Sequence, residues 1–259
     1  MSVPDRSVQP PDPAPLLWAV VTLCWIATAV PAVSGGHAMH HSAGSGQSWS
    51  PGSLGVYAST WVVMVSAMML PTTVPMSRLV ASVTARIADP GPVLSALYGS
   101  YLAVWSLFGL LAFAADLGVH AATIRWPWLA AHPGLVLAAT LALAGGFQFT
   151  RLKEKCLTAC RDPMTMLWQH YRRGPAGAWR LGTRHALSCL GCCWALMLLL
   201  FGSGLASLAW MLVLTAVMVA EKTTRWGARL SAPVGVTLLG AAGLVALGAF
   251  GIGPITGLA

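Results

Sequence analysis

Charged residues are scarce in this chain: Asp, Glu, Lys and Arg together make up 8% of its 259 residues. Soluble globular domains carry about 25% of such residues, so this composition excludes an ordinary soluble fold. Hydrophobic residues reach 56%, which excludes intrinsic disorder, because disordered chains lack the apolar side chains that build a core. The composition therefore predicts an integral membrane protein.

Acidic residues and cysteines are also few, with 7 acidic side chains against 15 basic ones and 6 cysteines. A nucleic-acid partner would require the basic residues to form one surface patch, whereas they occur in short clusters between apolar runs. The cysteines are too sparse for a secreted disulfide scaffold. We also find no internal repeat and no nucleotide-binding loop. We therefore expect no nucleic-acid binding and no ATP-driven activity.

What the chain does contain is a series of apolar segments near the length of about 20 residues that crosses a bilayer core. They predict an all-α, polytopic transmembrane helix bundle of about seven spans. Six is the alternative, because the fifth and sixth segments are short and meet at a tight Gly-Ser-Gly turn. The predicted spans cover residues 15–34, 54–76, 94–118, 134–150, 185–202, 205–221 and 232–253.

The basic residues predict the orientation of the bundle, since Lys and Arg concentrate in cytoplasmic connections. A cytoplasmic N-terminus places 14 of the 15 basic residues inside and leaves only Arg125 outside. The first apolar segment is preferred as a span over a cleaved signal peptide, because its flank holds only one basic residue against two acidic ones. The predicted organisation is a Pro-rich cytoplasmic tail (1–14), one bundle (15–253) with an outer His loop (35–53) and an inner basic loop (151–184), and a short outer tail (254–259).

Three unusual stretches fall at the predicted cytoplasmic side: AMMLPTTVPM (67–76), KCLTACRDP (155–163) and HALSCLGCC (185–193). Helix positions three or four residues apart share a face, so the cysteines of each stretch point the same way and the two groups are placed to converge. Thiolate and thioether donors select Cu(I), with zinc as the other common thiolate guest. The predicted metal ligands are Cys156, Cys160, Cys189, Cys192, Cys193, Met68, Met69 and Met76.

Two charged residues are possible accessories to this site. Lys155 flanks the first cysteine pair and would favour thiolate over thiol. Glu221 ends the sixth predicted span and either pairs with Lys222 or Arg225 at the interface or serves the thiols as a proton acceptor or hard ligand. The alternative for the cysteines themselves is packing, since a buried Cys often behaves as a small hydrophobe.

Two prolines, Pro71 and Pro75, interrupt the second predicted span. Each removes a helix hydrogen bond, so we expect the helix to kink or unwind there. Irregular backbone at membrane depth is tolerated where it is buried in protein or lines a cavity.

Possible ligands also occur on the predicted outer side. The outer loop carries HAMHH, a compact group of imidazole and thioether donors in a Gly/Ser-rich segment, suited to loose capture of copper or zinc. Asp116 and His120 lie four residues apart near the end of the third span. The carboxylate could orient the imidazole at a metal, or the two could simply cap a helix. The residues concerned are His37, Met39, His40, His41, Asp116 and His120.

Several of these motifs together resemble a bacterial family described as predicted metal-binding integral membrane proteins. AMMLPTTVPM, KCLTACRDP, CLGCCWALM, LAWM (208–211) and AEK (220–222) occur in the family's order, over about residues 54–250. The resemblance implies a multi-pass protein of the bacterial inner membrane and roles for the inner Cys and Met residues and for Lys155 and Glu221. Arg151 departs from the family, in which a proline often precedes the lysine–cysteine stretch.

These observations favour a metal-handling membrane protein over an enzyme. It would bind copper, most readily Cu(I), at the inner Cys/Met cluster and deliver it to a metalloprotein or membrane-complex partner, or transport it. Two alternatives remain open: a non-catalytic subunit of a membrane complex, with the cysteines as packing, and a membrane thiol oxidoreductase that uses CLTAC and CLGCC as exchanging pairs.

Overall fold

The computed structural model describes residues 12–33, 51–84, 90–132, 134–202 and 208–250. Within these ranges every regular element is a helix, which confirms the all-α prediction. The elements are α1 (Ala14–Val33), α2 (Pro51–Met69), a 3-10 turn (Leu70–Thr73), α3 (Val74–Thr84), α4 (Gly91–Arg125), α5 (Pro127–Ala130), α6 (Gly134–Phe147), α7 (Arg151–Arg161), α8 (Pro163–His170), α9 (Pro175–Gly202), α10 (Leu208–Thr223) and α11 (Gly227–Ala249).

Four helical stretches among the described residues are long and apolar enough to cross a bilayer: Leu54–Thr84, Gly91–Arg125, Pro175–Phe201 and Gly227–Ala249. The pair α6 and α7, bent by 65°, makes a fifth if the two helices form one span. Each of the seven predicted segments overlaps a helix within the described residues. Length and hydropathy support four to five crossings there, so seven spans stays a prediction. The membrane assignment itself agrees with these helices.

The predicted inner basic loop is largely helical. Its first part forms α7 and α8, and α9 begins at Pro175, ten residues before the predicted start of the fifth span. Asp162 lies between α7 and α8. Its side chain accepts a hydrogen bond from the backbone N–H of Thr165 in α8, 3.0 Å away. This is an N-cap, which satisfies one of the free donors at the start of α8. The connection is therefore a set of short helices that can hold side chains in fixed positions.

Helix α9 lies at the centre of the bundle and runs parallel to α4. Their close contact depends on Gly182, because a Cβ at that position would meet Ser100 and the carbonyl oxygen of Leu97 on α4. Helix α2 runs antiparallel to α4, fixed by the Trp61 indole, which donates to the carbonyl oxygen of Trp105 over 2.9 Å. Gly182 thus lets the first part of α9 pack closely against α4, and α2 packs on α4 through Trp61.

Polar contacts gather at one end of the bundle. Asp12, just before α1, accepts two hydrogen bonds from the Arg78 guanidinium on α3, at 3.1 and 3.0 Å. This guanidinium holds the pKa of Asp12 below its usual value. At the same end, Lys153 of α7 pairs with Glu221 of α10. Segments that the charge pattern assigns to the inner side are therefore neighbours, and the leaflet they face stays a prediction.

Candidate metal site

The break in the second span is where the prolines predicted it. Pro71 lies in the 3-10 turn between α2 and α3. Two buried hydroxyls satisfy carbonyl groups there: Thr72 donates to Met69 O and Thr73 to Leu70 O, each over 2.8 Å. Such side-chain bonds are one way in which membrane helices tolerate proline. The turn leaves the Met69 side chain fully buried in the protein interior.

Three cysteines of α9 share one buried face. Cys189, Cys192 and Cys193 each expose 1% of their surface. The thiols of Cys192 and Cys193 lie 3.0 and 2.9 Å from the carbonyl oxygen of Cys189, to which they donate. The 3.6-residue helical repeat accounts for this arrangement, because positions three and four apart are neighbours on the helix surface.

Helix α7 brings the other two inner cysteines against α9. Cys160 Sγ lies 4.0 Å from Cys192 Sγ. Cys156 lies against the backbone of Gly191, where a Cβ would come within 2.5 Å of the Cys156 sulfur. The bend between α6 and α7 lets α7 lie against α9 in this way. The structure therefore brings the two cysteine-bearing stretches together.

A cation of the protein lies among these sulfur atoms. Lys222 Nζ, at the end of α10, is 2.9 Å from Cys189 Sγ, 3.7 Å from Cys193 Sγ and 3.8 Å from Met69 Sδ. The Tyr101 hydroxyl from α4 lies 3.0 Å from Cys189 Sγ on another side. We call the five side chains Met69, Cys160, Cys189, Cys192 and Cys193 the sulfur cluster.

The sulfur cluster is not a preformed metal site. In the described ranges, no group of three or more His, Cys, Asp or Glu side chains is arranged to hold a metal ion. Lys222 supplies a physical reason, because its ammonium group is hydrogen-bonded to two of the sulfur atoms that a metal would need. Metal binding would therefore require Lys222 to move away from them.

The other predicted inner residues lie in different surroundings. Met68 is buried in the same apolar core as the α9 cysteines, whereas Met76 packs in a second core with Val80 and Leu97. Lys155 is exposed. The structure thus brings four predicted cysteines and Met69 into one cluster, sets Cys156 at its edge, and separates Met76 from it.

Glu221 does not make the predicted interfacial ion pair with Lys222 or Arg225. Its carboxylate instead accepts two hydrogen bonds from Lys153 Nζ, at 2.8 and 2.7 Å, and a third from Ser231 at 3.2 Å. Both ion-pair partners are buried. Lys222, the next residue along the helix, contacts the sulfur cluster instead. The Glu221 carboxylate therefore pairs with Lys153 of α7.

The predicted outer site lies only partly within the described residues. His37, Met39, His40 and His41 lie outside them. Asp116 and His120 lie one turn apart on α4. At 1.5 Å per residue, Asp116 is about 22 Å along the helix from Tyr101. Asp116 and His120 are therefore not part of the sulfur cluster.

Sequence reasoning missed three residues at this site: Lys222, Tyr101 and His185. Lys222 carried a usable signal, because a charge at the end of an apolar run is costly in the membrane and tends to be functional. His185 belongs to the quoted stretch HALSCLGCC, one helical turn before Cys189. Tyr101 gave no signal, since its role depends on the packing of α4 against α9.

Replacing Gly191 by alanine tests the contact between α7 and α9. The new methyl group would meet Cys156 Sγ at 2.5 Å, so the helices must separate or the thiol must move. Overpacking of this kind costs about 1–3 kcal/mol. We expect a lower melting temperature. Gly240→Ala on α11 is the matched control, because nothing lies within 4 Å of the added atom. Equal behaviour of the two variants would contradict this packing.

The fold and this cluster define a helical membrane protein with soft donor atoms in its interior. The sequence model of the PpoB2 family, described as copper chaperone, matches residues 58–245. This match covers most of the chain, and the protein belongs to that family. No curated protein and no solved structure matches it. The predicted relation to a metal-binding membrane family is consistent with this match, and the family description specifies copper.

Proposed function

We propose that this protein is a membrane copper chaperone that binds Cu(I) as its cargo at the sulfur cluster and passes the ion to a partner metalloprotein. The observation that carries the proposal is the meeting of four thiols and one thioether from α2, α7 and α9, three of which contact the buried ammonium group of Lys222. The basic segments at the same end of the bundle support a cytoplasmic position for the cluster.

The donor set favours Cu(I) over zinc. Sulfur donors are soft, and Cu(I) is the soft ion among the metals that these side chains bind. The nearby carboxylate of Glu221 is engaged by Lys153 and Ser231, so it is not available as the hard ligand that zinc also accepts. Zinc at the cluster is the other outcome that a metal analysis would detect.

Lys222 completes the electrostatics of the proposed site. Two thiolates and one Cu(I) ion together carry one negative charge, and an isolated buried charge costs several kcal/mol. An ammonium group that moves aside but remains next to the thiolates neutralises the loaded site. Before loading, the same group occupies the position between the sulfur atoms. We therefore assign Lys222 to the charge balance of both states.

Changing Lys222 to leucine tests this assignment. The substitution removes the charge and adds no donor atom, so the loaded site becomes a buried anion. We expect Cu(I) affinity to fall about tenfold or more, equivalent to about 1.4 kcal/mol, as measured by competition with a chromogenic Cu(I) chelator. Arg225→Leu removes one cation from the same segment, where the side chain is exposed, and serves as control. Higher affinity in Lys222→Leu would mean that the amine only competes with the metal.

The proposal as a whole is tested by metal analysis of the wild-type protein. The protein is purified in mild detergent, loaded with Cu(I) under reducing conditions, freed of excess metal and analysed for copper, zinc and sulfur. About one copper per chain, with an X-ray absorption edge typical of Cu(I), supports the proposal. Zinc in preference to copper, or a small fraction of either metal, rejects it.

A further inference from the structure

His185 carries a buried imidazole whose two ring nitrogens make no hydrogen bond to the described residues. It exposes 4% of its surface on α9. Neither ring nitrogen has a hydrogen-bond partner among the described residues. Buried polar groups are nearly always paired, and each exception calls for an explanation. Two unpaired nitrogens on one ring indicate a partner that the described part of the chain does not supply.

The surroundings of His185 connect it with the sulfur cluster. It lies four residues before Cys189, so the two side chains lie on the same face of α9. Its ring centroid is 5.8 Å from that of Tyr101, at an interplanar angle of 30°. The Tyr101 hydroxyl lies 3.0 Å from Cys189 Sγ. The imidazole and the thiol are therefore held beside the same tyrosine.

We infer that His185 is a further copper ligand, which adds a nitrogen donor to the sulfur cluster beside Cys189. Imidazole is a ligand for copper, and a neutral ring with two unpaired nitrogens has a lone pair available for a metal. This inference rests on the function proposed above. A nitrogen donor changes the chemistry of the site. A set of nitrogen and sulfur ligands is less selective for Cu(I) than sulfur alone, and the imidazole is a ligand that a partner can replace during transfer.

The arrangement also gives a direction to that exchange. His185 lies one turn nearer than Cys189 to the start of α9, the end that carries Arg184 and the basic connection. The nitrogen donor is thus on the side of the cluster that faces the predicted cytoplasmic surface. We therefore assign His185 as the ligand that contacts the ion as it moves between that surface and the buried thiols.

The test is X-ray absorption spectroscopy of the Cu(I)-loaded protein, combined with affinity measurements. Wild type should show the outer-shell scattering of an imidazole in addition to sulfur. His185→Phe keeps a ring against Tyr101 and removes both nitrogens, so the imidazole scattering should vanish and the Kd for Cu(I) should rise about 10- to 100-fold. His170→Phe is the control, because that ring already bonds to the carbonyl oxygen of Met166 at 3.2 Å.

The outcomes separate the two proposals. Copper bound with sulfur scattering alone, or an unchanged Kd in His185→Phe, overturns the ligand role of His185 and leaves the copper function in place. A wild-type protein that binds no copper overturns both. Should His185→Phe fail to fold, His185→Gln is measured by the same two methods, and retention of the imidazole signal in it would count against His185.

Discussion

A variant with both Cys192 and Cys193 replaced by serine should be recovered without copper. Serine keeps nearly the same shape and can still donate to the carbonyl oxygen of Cys189, as both thiols do now. Its oxygen is a hard donor, however, and Cu(I) prefers soft ones. Loss of two of the cluster's four thiols should weaken Cu(I) binding by at least about 100-fold, equivalent to about 2.7 kcal/mol.

The measurement is copper content by elemental analysis, together with the Kd for Cu(I) from chelator competition. Cys24→Ser is the matched control, because Cys24 lies on α1 and is not part of the sulfur cluster. Its copper content should equal that of wild type. Full copper content in the double variant would exclude the sulfur cluster as the binding site and leave Cys192 and Cys193 as packing residues.

The cysteine arrangement within each helix could be predicted because it depends only on local geometry. The spacing of Cys189, Cys192 and Cys193 determines that they share a face in any helix that contains them. Likewise, the break near Pro71 follows from the missing backbone donor of that residue. Apolar segment lengths predicted where helices would form, and they also predicted about seven crossings, whereas length and hydropathy of the described helices support four to five.

The convergence of the two cysteine-bearing stretches was predicted, but the ion pair between α7 and α10 could not be derived from the sequence. Lys153 and Glu221 are 68 positions apart, and their pairing depends on how α7 lies after the 65° bend. Met76 shows that contacts are also hard to derive across a broken helix. It follows Met69 closely in sequence, so the two were predicted to serve one site. The 3-10 turn between them directs the two side chains into different apolar cores. Proximity along the chain is therefore a poor guide across a broken helix.

Breaking the buried ion pair should destabilise the protein more than any of the other substitutions. Lys153 and Glu221 expose only 1% and 2% of their side chains, with Nζ and Oε2 2.7 Å apart. Removal of one partner from such a pair costs about 3–5 kcal/mol, because the other charge stays buried and unpaired. We expect Glu221→Gln and Lys153→Met each to lower the melting temperature in detergent markedly, measured as the loss of monodisperse protein on heating.

A double variant distinguishes the pair from its individual residues. Lys153→Met combined with Glu221→Gln leaves no unpaired charge, so its loss of stability should be smaller than that of either single variant. Asp12→Asn is the control for loss of an exposed pair, since Asp12 and Arg78 expose 49% and 57% of their side chains. Its effect should be small, because solvent-exposed ion pairs contribute little. Additive losses in the double variant would contradict the coupling.

The same ion pair should influence metal binding without touching the metal. Glu221 joins α10 to α7, and its own carbonyl oxygen accepts a hydrogen bond from Arg161 over 2.6 Å. These bonds fix the end of α10, from which the adjacent Lys222 reaches the sulfur atoms, against the helix that carries Cys160. Loss of the charge in Glu221→Gln should therefore weaken Cu(I) binding. The double variant lacks the same bonds, so it should regain part of the stability while its Cu(I) affinity stays low. Affinity that recovers together with stability would show that the pair acts on the fold alone.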